Sequence, residues 1–317
     1  MALLVADIGG TRARFAIARS GEEGIELSRA AVFAVADHPD LASALRSYAR
    51  SVEGPLPAAA SLALATDITG DVAEMVNSDW VIDRRELIAE FGFEDCLLLN
   101  DFEAIAHAVA AAEEQDFAHL FGPRGGFARN GSISVVGPGT GLGVAQLIRA
   151  DGHYHVVSTE GGHIGFAPRD DFEKQLNDVL SDRHGRVSVE RVASGPALAD
   201  YYKLLAGPDA CDAMPDPELW SSAIEGGDEA AAEALDRFVG VLGAVVGDLA
   251  LAHGSHCVVL VGALAGRLQE RLRSATFKDS FVAKGRFAPR MSGIEVLYLL
   301  GDHPGLLGAA IAARGCV

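Results

Sequence analysis

Cysteine is scarce. Cys96, Cys211, Cys257 and Cys316 are the only four in 317 residues, and no two are spaced as a CxxC pair or a zinc knuckle. Three of them stand in apolar surroundings, so reduced, mostly buried thiols are expected, as in a reducing cytoplasm. Long apolar runs are missing as well. The longest, 238–247, is interrupted by Asp248, well short of the ~20 residues a membrane span needs. The first apolar run has no basic stretch before it and is too short for a secretory signal. These absences predict a soluble, cytoplasmic protein with no membrane partner. Positive charge is also in short supply: 26 Lys and Arg stand against 44 Asp and Glu, a net charge of −18. A general nucleic-acid partner is therefore not expected, because its affinity would rest on neutralising phosphates. A small pocket for an anionic ligand remains open, since helix termini and loop N–H groups need no net charge. Low-complexity and Pro-rich segments are absent, so no linker is visible.

What remains is ordinary globular material, 49% hydrophobic and 22% charged. At ~100–200 residues per domain the length fits two domains or one large one. Strand-like runs alternate with helix-like ones, the pattern of an α/β protein. Residues 3–6 read as a buried strand leading into Asp7 and a Gly9-Gly10-Thr11 turn, and 12–18 alternate as a second strand. The pattern returns at 132–136, a glycine-rich loop over 137–143, and a strand at 144–148. Two copies of strand, Gly/Thr turn and strand suggest an internal duplication, with two lobes facing a shared cleft. The clearest helix runs from Asp228, a plausible N-cap, to His253, with Gly254 just beyond it. Strands are predicted at 257–261 and 294–300, and Pro304-Gly305 opens an Ala-rich final helix. The boundary is placed near residue 110. A small domain, 1–110 with 299–317 returning to it, then precedes a large one, 111–298.

Glycine loops let backbone N–H groups close around phosphate oxygens. A Thr hydroxyl adds a donor, and an Asp at the end of the preceding strand can hold a magnesium ion through its waters. Asp7-Ile8-Gly9-Gly10-Thr11 has these parts. A tight hairpin with no ligand is the bland alternative, and the second loop weakens it. The spacing Gly137-x-Gly139-x-Gly141 resembles a dinucleotide fingerprint only superficially. That fingerprint needs a helix directly after its glycines, and strand-like residues follow here. No GxxxxGK[ST] loop is present either. A hairpin-type nucleotide site fits better than a dinucleotide oxidoreductase.

The run Asp7-Ile8-Gly9-Gly10-Thr11-Arg12-Ala13-Arg14 resembles the first phosphate motif of bacterial glucokinases, within the actin-like, hexokinase-type ATPase superfamily. Gly137-Pro138-Gly139-Thr140-Gly141-Leu142-Gly143 is similar to the second motif. Leu99-Asn100-Asp101-Phe102, Glu160-Gly161-Gly162-His163 and Ser188-Val189-Glu190-Arg191-Val192-x-Ser194-Gly195-Pro196 resemble its sugar segments. Lys284-Gly285-Arg286-Phe287 and Asp302-x-Pro304-Gly305-Leu306-Leu307-Gly308 resemble its C-terminal pattern. The segments keep the family's order over nearly the whole chain. Arg12, Asp67 and Ala263 depart from it, where Asn, Pro and Gly are usual. The resemblance implies a two-lobed actin-like, ribonuclease H-like ATPase fold with a duplicated β-hairpin phosphate site.

The resemblance also implies site residues. Asp101 is the expected base. It follows the apolar run 97–99 and so sits at a strand end; locally it reads equally as the N-cap of the helix behind it. Asn100, Asp101, Glu160, His163 and Glu190 are the expected glucose ligands. Glu160 and His163, with two glycines between them, suit a loop offering carboxylate and imidazole to vicinal hydroxyls. A structural Glu–His hydrogen bond or half of a carboxylate-bridged metal site are the alternatives. Glu190 alone reads as a capping or solvated carboxylate. Asp7, Ile8, Gly9, Gly10, Thr11, Gly137, Gly139, Thr140, Gly141 and Gly262 are expected around ATP, with Asp7 holding Mg2+ through water. Asn77 and Trp80 are expected near the sugar or in packing; Arg12 or Arg14 could reach phosphate or face solvent. His107, His119, His253 and His256 carry no motif and read as surface or capping residues.

The implied activity is transfer of a phosphoryl group from ATP to the 6-hydroxyl of glucose, with lobe closure around the sugar excluding water. A kinase for another hexose and a non-catalytic sugar-sensing module of the same fold are the alternatives. A base at Asp101 argues against the sensor. The repressor-containing branch of the sugar kinases carries a zinc-binding Cys cluster that this sequence lacks, and with the first strand at residues 3–6 no DNA-binding helix-turn-helix is expected. A homodimer is expected from the family.

Overall fold

Strand β1 (Ala2–Ile8) shows why the first sheet lies between two helical layers. Leu4, Ala6 and Ile8 point into one core, and Val5 points into another. That is the period-two alternation of a strand buried on both faces. The structure, a computed structural model, describes residues 2–21, 24–207, 214 and 216–315. Cys211 and Cys316 lie outside the described residues.

The first sheet has the order β3-β2-β1-β4-β7, with β2 at Arg12–Gly21, β3 at Gly24–Ala34, β4 at Ala59–Leu64 and β7 at Asp95–Asn100. A small antiparallel pair, β5 (Val72–Glu74) and β6 (Val81–Asp83), stands apart. β1 and β2 form an antiparallel hairpin, while β1, β4 and β7 run parallel. Helices α1 (Leu41–Ser51) and α2 (Arg84–Phe91) contribute to one core. Helices α3 (Asp101–Ala111) and α13 (Pro304–Ala312) contribute to the other. The last two meet backbone to backbone: a methyl group at Gly308 would overlap the Ala104 carbonyl oxygen at 1.6 Å.

The second sheet has the order β11-β10-β9-β12-β13-β8. Its strands are β8 (Phe117–Phe121), β9 (Gly131–Pro138), β10 (Leu142–Ala150), β11 (His153–Thr159), β12 (Cys257–Leu260) and β13 (Glu295–Leu299). Here β9 and β10 form the antiparallel hairpin, and β9, β12 and β13 run parallel. Strand for strand this repeats β3-β2-β1-β4-β7, with β8 added at the edge, so the two hairpins are copies of one unit. Its helices are α4 (Asp171–His184), α5 (Glu190–Ala193), α6 (Ala197–Ala206), α7 (Asp216–Glu225) and α8 (Glu229–Ala252). They continue with α9 (Ala263–Arg267), α10 (Gln269–Leu272), α11 (Ala275–Val282) and α12 (Ala288–Met291). Asp228 caps α8 by accepting from the Ala231 N–H at 2.7 Å, and Gly254 follows its end with φ +65°.

The chain divides into two compact units, Met1–Glu114 with Val156–Ser158 and Gly301–Val317, and Gln115–His155 with Thr159–Leu300. The second glycine loop is shorter than its composition suggests. Gly137 pairs with Gly143 inside the ladder, and the turn is only Gly139-Thr140-Gly141. It thereby matches the Gly9-Gly10-Thr11 turn in length. Among the described residues no helix is long and apolar enough to cross a membrane.

Candidate active site

In the first unit the parallel strands end together. Ile8 pairs with Leu64, and Leu64 pairs with Asn100. One edge of the sheet therefore carries the Gly9-Gly10-Thr11 turn, the segment after Leu64, and Asn100-Asp101. The carboxyl edge of parallel strands is where open α/β sheets bind ligands. Asp7, still within β1, faces Arg14 across the hairpin, with Arg14 Nη1 3.1 Å from Asp7 Oδ2. Burial pushes the Asp7 carboxyl above the usual range, against the pull of Arg14 and His303. Arg14 is thus engaged by Asp7, whereas Arg12 is exposed at the start of β2.

The alternative reading of Asp101 as the N-cap of α3 does not hold. Asn100, not Asp101, is the N-cap of α3: its Oδ1 accepts from Phe102 N at 2.9 Å and Glu103 N at 3.1 Å. Its Nδ2 donates to the Thr66 carbonyl at 3.0 Å, so both ends of this buried carboxamide are engaged by protein. Asp101 is the first helical residue, half-buried, and its Oδ1 accepts from Phe102 N at 2.9 Å. Trp80 is buried and donates to the His38 carbonyl at 3.1 Å, which is packing. Asn77 is exposed and lies against Gly10, where an added Cβ would stand 2.5 Å from the Asn77 Cβ.

In the second unit three segments converge on the Gly139-Thr140-Gly141 turn. Glu190, at the start of α5, accepts from Leu142 N at 2.9 Å. Gly195 N donates to the Gly139 carbonyl at 2.7 Å. Gly161–His163 forms a single 3-10 turn, not the open loop expected, and it packs on β10. A side chain at Gly162 would meet the Leu142 carbonyl oxygen at 2.1 Å. It is this close contact with β10 that requires glycine at these positions. The Val189 N–H bonds the Ile164 carbonyl at 2.9 Å, and Phe166 N bonds the Val187 carbonyl at 3.0 Å, holding the Glu160–His163 and Glu190 segments side by side. Glu160 and His163 are both exposed, with Oε2 and Nε2 3.7 Å apart. Gly262 precedes α9 beside Pro138, and Ala263 is exposed at the first position of that helix.

The histidines without a motif are more deeply placed than expected. His253 does cap α8, but its ring also bonds Ser134 of β9 at 2.9 Å. His119 contacts the Gly122 carbonyl at 3.0 Å. Burial lowers the His107, His253 and His256 pKa values. The thiols of Cys96 and Cys257 are buried; that of Cys96 is pushed up to about 12 and that of Cys257 well above its usual value. Thr66 carries no sequence signal of its role, because the partners of its hydroxyl and carbonyl, Glu74 and Asn100, are not sequence neighbours.

The family model for Glucokinase matches residues 4–316. A glucokinase from Zymomonas mobilis subsp. mobilis is 42% identical over 315 residues, covering 98% of this chain and 97% of the relative. The crystal structure of a glucokinase from an Antarctic psychrotroph superposes with a TM-score of 0.81 at 31% identity, covering 99% of both chains. That of a ROK family glucokinase from Streptomyces griseus, in complex with glucose and AMPPNP, gives 0.69 at 20% identity, covering 99% of this chain and 100% of that one. With two copies of one hairpin unit, a Gly/Thr turn on each and sequence likeness along its whole length, the chain belongs to the glucokinase family and has the two-domain actin-like ATPase fold.

Proposed function

We propose that this protein transfers the γ-phosphoryl group of ATP to the 6-hydroxyl of glucose, giving glucose 6-phosphate and ADP. The observation that carries the reading is the carboxyl edge of the first sheet, where a phosphate-type glycine turn follows β1 and Asp101 opens α3 directly after β7, both strands being in register with β4. Whole-length likeness to glucokinases supports it, as does a structural relative crystallised with glucose and a nucleotide analogue.

Asp101 is the base. Its carboxylate accepts the 6-hydroxyl proton as that oxygen bonds to the γ-phosphorus, while the bond from phosphorus to the β-bridging oxygen breaks and ADP leaves. Asn100 fixes the helix turn that carries Asp101 and lies beside the sugar. Glu160, His163 and Glu190 serve as acceptors and donors for glucose hydroxyls. The phosphates lie along the turns of Ile8, Gly9, Gly10 and Thr11 and of Gly137, Gly139, Thr140 and Gly141, where the Gly9 and Gly139 N–H groups close their own turns on the Arg12 and Gly141 carbonyls at 2.9 and 2.8 Å and the turn-tip amides face the ligand, with Gly262 on the adenosine side. A single partly exposed carboxylate fits Mg2+, which keeps most of its waters. Asp7 would hold that ion through water, and the ion would neutralise phosphate charge. The resemblance supports a homodimer, while unclustered cysteines, net charge −18 and short apolar runs support a cytoplasmic location without nucleic-acid or membrane partners.

The test is to incubate the protein with MgATP and each of glucose, mannose and fructose, and to identify products by phosphorus NMR. Glucose 6-phosphate formed with the highest kcat/KM is the expected result. Faster turnover of another hexose would reassign the substrate, and glucose binding without ADP formation would make the protein a sensor.

A further inference from the structure

We infer that Thr66 is a positioning residue for phosphoryl transfer, holding the base-bearing turn of α3 in fixed relation to the first glycine turn. The inference rests on the proposed role of Asp101. Thr66 lies just past the end of β4, between the ends of β1 and β7, and is 8% exposed. The preceding residue is itself tied to β1, Ala65 N donating to the Ile8 carbonyl at 2.9 Å.

Two bonds leave Thr66 in opposite directions. Its carbonyl accepts from Asn100 Nδ2 at 3.0 Å. That fixes which way the Asn100 carboxamide faces, so that its oxygen, not its nitrogen, meets the Phe102 and Glu103 N–H groups. The cap in turn sets the backbone at Asp101. The Thr66 hydroxyl donates to the Glu74 carbonyl at 2.7 Å, at the end of β5. From there the chain turns back to β6, closed by Met75 N donating to the Trp80 carbonyl at 3.0 Å, and this turn carries Asn77 against Gly10. A continuous path of short contacts thus runs from the Gly9-Gly10-Thr11 turn through Asn77, Glu74, Thr66 and Asn100 to Asp101. Thr66 is its middle link, where a hydroxyl can be removed without changing side-chain shape. Reaction rates depend steeply on such spacing, and a misplacement of ~1 Å can cost ~100-fold.

The experiment compares Thr66→Val, Thr66→Ser and Thr66→Ala in the full-length protein, with steady-state kinetics in glucose and MgATP and with thermal unfolding. Thr66→Val is expected to lower kcat ~10-fold or more with little change in glucose KM, and Thr66→Ser to restore most of it. The double variant Thr66→Val/Asp101→Asn is expected to be no slower than Asp101→Asn alone, because Thr66 acts through the base. A role limited to stability would lower Tm and multiply the two losses. If Thr66→Val does not fold, Thr66→Ala carries the same comparison. Unchanged kcat in the Val and Ala variants, a Ser variant as slow as Val, or multiplied losses would overturn the inference. Full turnover by Asp101→Asn would instead overturn the reading of the base.

Discussion

Glu190 Oε2 accepts a hydrogen bond from Leu142 N at 2.9 Å, joining the start of α5 to the strand that leaves the second glycine turn. The proposed sugar ligand and the proposed phosphate turn are therefore one mechanical piece within the second unit. Its acceptor is a carboxylate, which makes the bond stronger than a neutral one.

Replacing Glu190 separates its two roles. Glu190→Gln keeps an acceptor for Leu142 N and is expected to leave stability nearly unchanged. Glu190→Ala leaves that amide without its partner, at a cost of ~1–3 kcal/mol. Both variants lose the carboxylate proposed to hold glucose, so glucose KM is expected to rise ~10-fold or more in each. A Gln variant with unaltered glucose KM would reduce Glu190 to a structural link.

The crossing of α3 and α13 gives a second expectation. Gly308→Ala places a methyl group 1.6 Å from the Ala104 carbonyl oxygen, so one backbone must move. Overpacking of this kind costs ~1–3 kcal/mol, and because α3 carries Asp101, kcat is expected to fall with stability. Urea unfolding together with kinetics checks both. A change under ~0.5 kcal/mol would show that the helices separate readily.

His107 is one of three histidines, with His253 and His256, whose burial makes stability depend on pH. Burial lowers its pKa, so the native state prefers the neutral ring. As pH falls below the ordinary imidazole value of ~6.5, the unfolded chain takes up a proton that the native state still refuses. Stability is lost over that acid window, and the His107 penalty is absent above neutrality. Urea midpoints measured between pH 8 and pH 5 should fall less steeply for His107→Gln than for the parent chain. Parallel curves would show that His107 is not the group responsible.

Much of the fold was readable because its signals are local. Gly9-Gly10-Thr11 and Gly139-Thr140-Gly141 each stand between alternating strands, and Asp228 and Gly254 bracket α8. Errors arose where the same residue type serves two purposes. Gly137 reads as loop, yet it sits opposite Gly143 in the ladder. Asn100 and Asp101 are adjacent and both favour N-caps; Asn100, extended at the end of β7, takes the cap, and the Thr66 carbonyl orients its carboxamide. Gly162 is required by a carbonyl on β10, and His253 by a serine on β9. Such contacts span long stretches of chain and leave no periodicity to read. Within the candidate site, residue types and order were visible, but the bonds linking Glu190 to Leu142 and Thr66 to Glu74 were not.

The central claim is that Asp101 takes the proton of the attacking hydroxyl. Glucose-dependent ADP formation with MgATP, measured for the parent chain and for Asp101→Asn alongside glucose binding, tests it most directly. The account predicts turnover by the parent and a loss of ~100- to 10,000-fold in the near-isosteric variant, with glucose still bound. Comparable turnover in the variant, or none in the parent despite tight glucose binding, would contradict it.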